Sequence, residues 1–342
     1  MIILKTAKII LILLAVALLI GVSACGAETA PSGQPQPAAP AADTAAATDA
    51  TDTAEAGAED GAAASLEITD RAGNLIVLPQ PINSILSMGP ATTEILVELG
   101  FADYIVGIDA FSSNIHGLSA QIPHFDMMQP DAEQIIALNP DVFFMTGMTI
   151  VAGGADPFQI IRDAGIPIAF IPSPDSIAGI KGDISFIGEV LGAQDRADEI
   201  ISSMEAEIAI YASIAERITE RRTVYFELSP VPWMVSLGSD TFLHEMIELL
   251  GAVNVFADLE SWTSISDEAV LEANPDVILT SVDFIENPVG EILDRAGWDA
   301  ITAVRERNVF SIDTDSSNRP SHNIVIALRE MAAAIYPEYF AT

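Results

Sequence analysis

The sequence contains one helix–strand unit twice, and this internal repeat constrains the fold more than any other feature. The first copy, Asp131–Phe144, reads DAEQIIALNPDVFF, and the second, Asp267–Leu279, reads DEAVLEANPDVIL. Each copy begins with acidic residues that suit a helix N-terminus. Its Asn-Pro pair ends the helix, because proline disfavours helical geometry in the residue before it. The apolar run that follows predicts a strand covered on both faces. Two such units, far apart in the chain, predict two similar α/β lobes.

Two glutamates occupy matching places in the repeat. Glu133 and Glu268 lie in the first turn of each predicted helix, beside the apolar positions rather than among them. We therefore expect both side chains to face solvent. One such residue alone is typical of a solvated helix start, but the matched pair favours a function that both lobes share.

The first 25 residues predict an export signal with a lipidation site. Two lysines precede an apolar run that ends at Val22, and this run is shorter than the about 20 residues that a transmembrane anchor needs. Residues 22–25 read Val-Ser-Ala-Cys and resemble a bacterial lipobox, which would make Cys25 the lipidated start of the mature protein. The alternative is an ordinary signal peptide with a chance cysteine. The lipobox predicts an extracytoplasmic protein attached to the membrane through its acyl chains.

The segment 26–65 consists mainly of Ala, Thr, Asp, Glu, Pro and Gly and lacks aromatic and basic residues. It cannot bury enough apolar surface to offset its ordering entropy, and it therefore predicts a disordered acidic tether. The whole chain has 49 acidic residues against 14 basic ones, a formal net charge of −35. Nucleic-acid binding requires a basic face, so this composition excludes nucleic acid as a partner.

The folded part divides into two predicted lobes and a helical segment between them. Residues 66–182 and 222–342 form the lobes, since each alternates short apolar strands with amphipathic helices. Residues 183–221 keep apolar side chains at helical spacing with acidic residues between them. This segment predicts one long helix, or two nearly collinear ones, that joins the lobes.

Several segments of the folded part resemble the solute-binding proteins of ABC importers for iron chelates, haem and cobalamin. They are SILSMGPATTEILVELG, GFADYIVGID, the two NPDV units, GSDTFLHEMIELLGAVNVF and RPSHNIVIALREMAAAIYPE, in an order that covers nearly all of the chain after the tether. The resemblance implies an α/β fold of class III, in which a single long α-helix bridges two Rossmann-like lobes. It also implies a monomer that holds its ligand between the lobes and delivers it to an ABC importer permease.

The same resemblance assigns roles to individual residues. It implies that Glu133 and Glu268 dock onto basic residues of the permease. It also implies that aromatic residues near Phe125, Trp233 and Trp262 line the cleft, where a flat macrocycle or a catecholate ring would stack on them.

Met128 lies in a segment, MQPDAE, that resembles haem-binding members in which the methionine is an axial iron ligand. Those members carry a histidine soon after the second NPD strand, and this sequence has Asp283 at about that place. The missing histidine favours a non-haem iron chelate, with an apolar contact as the alternative role of Met128. Arg319 either meets a ligand carboxylate or pairs with Asp313 or Asp315.

The sequence shows no catalytic motif, and its four histidines are not at metal-ligand spacing. We therefore predict a binding protein rather than an enzyme, with no cofactor and no resident metal. Its predicted ligand is an iron chelate, either a siderophore or haem. A corrinoid is the alternative within the class, and iron or cobalt would belong to the ligand. A chelatase-like enzyme or a free-metal binder is the alternative from another class.

Overall fold

The computed structural model describes residues 64–149 and 158–340. The predicted signal peptide, Cys25 and residues 26–63 of the predicted tether lie outside the described residues. None of the helices in the described part is both long and apolar enough to span a bilayer. The described chain begins with an antiparallel hairpin of β1 (Ser65–Thr69) and β2 (Leu75–Pro79).

Five parallel strands form the sheet of the first lobe, in the order β5-β4-β3-β6-β7. The central strands β3 and β6 are buried almost throughout, which explains why their sequences are continuous apolar runs. The strands are β3 (Ile85–Met88), β4 (Ile105–Asp109), β5 (His124–Phe125), β6 (Val142–Thr146) and β7 (Ile168–Ile171), and the helices are α1 (Pro90–Glu98), α2 (Ala132–Leu138) and α3 (Gln159–Asp163).

Four parallel strands form the main sheet of the second lobe, in the order β10-β8-β12-β13, and β9 and β11 pair antiparallel beside it. The strands are β8 (Thr223–Glu227), β9 (Val235–Leu237), β10 (Val253–Asn254), β11 (Trp262–Ser264), β12 (Val277–Thr280) and β13 (Val309–Ser311). The helices are α6 (Phe242–Leu249), α7 (Asp267–Ala273), α8 (Pro288–Leu293), α9 (Thr302–Arg305), α10 (Thr314–Asn318), α11 (Ile324–Ile335) and α12 (Pro337–Phe340).

The two copies of the repeat fold alike. A side-chain oxygen caps each helix start, from Asp131 in α2 and from Ser266 in α7, by accepting a backbone N–H three residues on at 3.1 and 3.3 Å. Each helix ends on an asparagine in the left-handed conformation, Asn139 with φ 45° and Asn274 with φ 43°. The prolines then turn the chain into a central strand of each sheet.

The aspartate of each NPD motif ties the repeat to the first strand of its own sheet. Asp141 Oδ2 accepts the backbone N–H groups of Asn83 and Ser84, just before β3, at 2.7 and 3.0 Å. Asp276 Oδ2 accepts the N–H and the hydroxyl of Thr223, the first residue of β8, both at 2.8 Å. The motif therefore fixes how each pair of central strands lies together.

The predicted linking segment contains two helices, α4 (Ile177–Leu191) and α5 (Gln194–Ala215). They fold back on each other, since Lys181 of α4 forms an ion pair with Glu205 of α5 at 2.6 Å. Gly192 makes the reversal, because its φ of 65° is in the left-handed region that ends a helix. Apolar periodicity continues through this glycine, so periodicity alone could not locate the turn.

Helix α5 is the one that bridges the lobes. Arg196, at its start, forms an ion pair with Glu98 of the first lobe at 2.5 Å, and Glu207, further along, pairs with Arg329 of the second at 2.5 Å. The single bridging helix that the resemblance implies is confirmed. The predicted bounds of 183–221 are wrong, because α4 is a separate helix that packs on the first lobe.

Candidate ligand cleft between the lobes

A cleft lies between the lobes, where the carboxyl ends of the parallel strands of both sheets meet. Residues after β3, β6 and β7 form its wall on the first lobe, and residues after β12 and β13 form its wall on the second. Including its mouth, the cleft has a volume of about 960 Å³. The carboxyl edge of an open parallel sheet is the usual place for a ligand.

The two walls differ in chemistry. The first lobe contributes a mostly apolar wall, with Asp183 and a few hydroxyl side chains among its members. The apolar members have aliphatic, proline or aromatic side chains: Pro90, Ile95, Phe111, Met148, Ile171, Pro172 and Pro174. The second lobe contributes a polar wall of Asp283, Thr314, Asp315, Asn318 and Arg319. A ligand held here would pack an apolar surface against the first lobe and form hydrogen bonds with the second.

Arg319 is the one basic side chain among the described residues that line the cleft. Its guanidinium pairs with Asp315 and, across the lobe boundary, with Glu94, both at 2.8 Å. It also donates to the carbonyl of Phe111 at 3.1 Å and to the side chain of Asn114 at 2.8 Å. Its charge is therefore compensated within the protein, which leaves an anionic ligand little to bind.

Glu94 joins the two lobes through residues of the second lobe that include the cleft residue Arg319. Its buried carboxylate, on α1, accepts hydrogen bonds from Arg319 Nη1 at 2.8 Å, Ser321 Oγ at 2.5 Å and Asn323 Nδ2 at 3.0 Å. All three donors belong to the second lobe. Sequence reasoning missed this role, because the partners lie more than two hundred positions away and Glu94 looks like an ordinary helix acid.

Asp183 lines the cleft from α4 and forms an ion pair with Arg71 at 2.7 Å. Burial raises the pKa of Asp183 to about 6, although the hydrogen bond and charge of Arg71 oppose the shift. Asp283 is exposed at the mouth of the cleft. The described lining therefore holds three carboxyl groups, of which Asp183 is paired with Arg71 and Asp315 with Arg319.

The three predicted aromatic contacts, Phe125, Trp233 and Trp262, are not among the described residues that line the cleft. Phe125 is 4% exposed and packs in the core of the first lobe. Its ring lies so close to Gly107 that a Cβ there would approach it to 2.8 Å. Trp262 is half-buried in β11 and packs edge-on against Phe242, with ring centres 5.9 Å apart. Met128 is also absent from the described residues that line the cleft.

Trp233 is 64% exposed in the turn after β8. Its large free indole keeps a ligand or partner contact as a prediction. Met148, which the sequence did not single out, lines the cleft and is 47% exposed. It lies two residues after β6, so its position at the carboxyl edge of a strand was the available signal.

The predicted docking residues lie on the cleft side of the molecule. Helices α2 and α7 each run back to the amino end of a central strand, so their first turns lie at the carboxyl edges of the sheets. Glu133 and Glu268 are both exposed there, as expected. Hydrogen bonds from its own backbone and from Ser266 lower the pKa of Glu268, so it is ionised at neutral pH.

Metal ligands do not cluster in the described part of the chain. No group of three or more His, Cys, Asp or Glu side chains there is arranged to hold a metal ion. The free-metal alternative therefore gains no support from these residues.

The profile of the periplasmic binding protein family matches residues 85–316. The uncharacterized ABC transporter substrate-binding lipoprotein YvrC of Bacillus subtilis is 30% identical over 278 residues, which cover 80% of this chain and 86% of that protein. The cobalamin-binding protein of Halobacterium salinarum is 24% identical over 289 residues, 80% of this chain and 75% of that one. The periplasmic heme-binding protein RhuT of Roseiflexus sp. RS-1 superposes with a TM-score of 0.65 at 28% identity, over 75% of this chain and 98% of that chain.

Proposed function

Because this chain belongs to the periplasmic binding protein family, we propose that it captures a bulky metal chelate between its lobes for an ABC importer. It is a substrate-binding protein of such an importer and not an enzyme, which removes the chelatase-like alternative. The observation that carries the choice of ligand is the divided cleft, with one mostly apolar wall and one polar wall that contains Asp283 and Asp315.

The charge of the cleft selects among chelates. Haem carries two carboxylates, and ferric catecholates are strongly anionic. Either would meet the carboxyl groups of Asp283 and Asp315, and an arginine already paired with Glu94 and Asp315. An uncharged or cationic ferric chelate, such as a trihydroxamate siderophore, avoids that repulsion. Its organic shell would pack on Met148 and the neighbouring prolines, while the side-chain N–H groups of Asn318 donate to its carbonyl oxygens.

A corrinoid is the second candidate. Its ring is broad and carries uncharged amide side chains, which suit an apolar wall facing hydrogen-bonding groups. The relative from Halobacterium salinarum, named a cobalamin-binding protein, supports this alternative at 24% identity.

Equilibrium titration distinguishes these ligands. The purified protein is titrated with a cationic ferric trihydroxamate, a ferric triscatecholate, haem and cyanocobalamin, and binding is followed by absorbance and tryptophan fluorescence. We expect the trihydroxamate to bind at least about tenfold more tightly than either anionic chelate. Tightest binding of haem or the triscatecholate would overturn the charge argument, and tightest binding of cyanocobalamin would establish the second candidate.

Two methionines provide a matched test of the cleft itself. Met148→Ala removes a side chain from the apolar wall and should cost about 1–2 kcal/mol, roughly a fivefold to thirtyfold rise in Kd. Met128→Ala removes the same side chain outside the described lining and should leave the Kd unchanged. The opposite result would restore the role predicted for Met128.

The delivery step requires contact with the permease and attachment to the membrane. We propose that Glu133 and Glu268, exposed on equivalent helices, pair with two basic patches of the permease. We also propose that a lipid on Cys25 retains the protein at the outer face of the cell membrane, in line with the lipoprotein name of YvrC. Cys25→Ser should then release the protein into the medium with its ligand affinity intact, whereas full membrane retention would contradict lipidation.

A further inference from the structure

The start of α7 is tied to the interior of the second lobe. The indole N–H of Trp298 donates to Asp267 Oδ1 at 3.1 Å. Trp298 is fully buried, whereas Asp267 is the first residue of α7 and the neighbour of Glu268. A buried donor with a single orientation therefore holds the turn that carries the proposed docking glutamate.

Trp298 is itself held by a buried ion pair. The guanidinium of Arg295 stacks on the indole, 4.1 Å from the ring centre, and the ring of Tyr225 lies edge-on at 6.1 Å. Arg295 makes two hydrogen bonds to Glu227, at 2.7 and 3.1 Å, and a further pair with Glu291 at 2.5 Å. A bidentate pair of buried groups has a fixed geometry, so the indole has little freedom to turn.

This network also reaches the polar wall of the cleft. Glu227 is the last residue of β8, and its carbonyl accepts the N–H of Ser281 at 3.2 Å. The carbonyl of Ser281 in turn accepts the hydroxyl of Thr314, which lines the cleft, at 2.6 Å. The residues that fix Trp298 are therefore linked by hydrogen bonds to the polar wall of the cleft.

The equivalent turn of the first lobe is held differently. Asp131, which caps α2, accepts from the backbone N–H of Gln134 at 3.1 Å and from its side chain at 2.6 Å. In the part of the chain that the structure describes, these bonds stay within the first turn of α2. The start of α2 is therefore capped locally. The start of α7 is held in addition by the hydrogen bond from buried Trp298 to Asp267, which we call the brace.

We propose that Trp298 is a positioning residue for docking, which fixes Glu268 against a basic patch of the permease through its bond to Asp267. The proposal depends on the docking role of Glu268 proposed above. It makes the start of α7 the more rigidly held half of the docking surface, and the start of α2 the half that is held only by its own first turn.

Hydrogen exchange measures the brace without the permease. Trp298→Phe keeps most of the packing and removes the N–H donor, so amides in the first turn of α7 should exchange about tenfold faster. Amides in the first turn of α2 should not change. Trp262→Phe is the matched control, since it alters an indole of the same lobe that packs on Phe242. Unchanged exchange in α7 of the Trp298→Phe variant would overturn the proposal.

Docking to membrane vesicles that carry the importer tests the consequence. Trp298→Phe and Asp267→Ala should each weaken docking by about threefold to tenfold, and together no more than either alone, because they break one bond. Asp267→Asn keeps the acceptor oxygen and should dock like the wild type. A purely structural role of Trp298 would lower thermal stability and leave docking of the folded fraction unchanged, which would overturn the proposal.

The docking glutamates separate the two ways in which the idea can fail. Trp298→Phe should add nothing when Glu268 is already glutamine, and should keep its full effect when Glu133 is glutamine. If neither glutamine variant alters docking, the proposed docking roles are wrong and the brace loses its purpose with them. If Glu268→Gln weakens docking while Trp298→Phe and Asp267→Ala do not, only the brace is wrong.

Discussion

The two lobes contain the same helix–strand unit, with the same kind of capping bond and the same left-handed asparagine. They also share an aspartate clamp, which is the pair of hydrogen bonds that Asp141 and Asp276 each accept from the start of the first strand. Yet the two lobes contribute different chemistry. The first lobe lines the cleft mainly with Met148, prolines and other apolar residues, beside the paired Asp183. The second lobe lines it with two acids, Thr314, Asn318 and Arg319. The shared parts lie at the amino ends of the strands and in the helices, and the differing parts lie at the carboxyl ends. The comparison teaches that the repeat supplies the scaffold, whereas the loops that follow each strand supply the ligand chemistry.

A second difference concerns buried charge. The first lobe buries Asp183 against Arg71, a half-exposed arginine. The second buries Glu227 against Arg295, and both side chains are almost completely excluded from water. Burial raises the pKa of Glu227 as it does that of Asp183, with Arg295 opposing the shift. The second lobe therefore depends more strongly on its ion pair.

Removal of Arg295 should have the largest effect on stability. Arg295→Ala leaves the Glu227 carboxylate buried without its partner and should lower the free energy of unfolding by about 3–5 kcal/mol. Urea denaturation measures the loss, and Arg305→Ala, an exposed arginine of the same lobe, should change it by less than about 0.5 kcal/mol. A loss below about 1 kcal/mol would show that the second lobe does not depend on this pair.

The buried acid of the first lobe predicts a pH dependence. The pKa of Asp183 is about 6 in the folded protein against an ordinary value of 3.8, so its protonated form is favoured by folding. Its contribution to stability is complete below about pH 3.8 and is lost as the pH rises through about 6. Asp183→Asn lacks this loss and should be more stable than the wild type at pH 8 by about 3 kcal/mol.

Thermal unfolding of both proteins between pH 4 and 8 measures this difference. The advantage of Asp183→Asn should be absent at the acidic end and grow as the pH rises. An advantage that stays constant with pH would show that Asp183 titrates alike in the folded and unfolded chain.

The two clamp aspartates test the likeness of the lobes. Asp141→Ala leaves two backbone N–H groups without their acceptor, and Asp276→Ala leaves one N–H and one hydroxyl. Each change should cost about 1–3 kcal/mol. Because the clamps are equivalent, the two losses should agree within about 1 kcal/mol, with exposed Asp103→Ala as a neutral control. A large loss at only one site would break the equivalence of the units.

Local patterns predicted the parts of the fold that local forces determine. The repeat predicted both lobes, because capping, proline and apolar runs act within a few residues of each other. The bounds of the linking helix depended on one glycine, Gly192, whose left-handed conformation an apolar pattern does not reveal.

The cleft was harder to predict because its residues meet across the lobes. Glu94 finds its three donors in the other lobe, and no local signal marks them. Phe125 and Trp262 were chosen for being aromatic and near loops, but their packing partners, Gly107 and Phe242, decide where they lie. Asp283 was singled out because it stands where haem-binding members carry a histidine, and Arg319 because it is one of few bases in the second lobe. Both line the cleft.

The central claim is that the two lobes act as a matched pair that presents a ligand to a permease, and reversal of both docking charges tests it most directly. Ligand uptake through the importer is measured for Glu133→Lys, Glu268→Lys and the double variant, beside their ligand affinities in solution. The account predicts that each single variant transports more slowly, that the double variant loses uptake by at least about tenfold, and that all three bind ligand like the wild type. Wild-type uptake by a folded, ligand-binding double variant would contradict it.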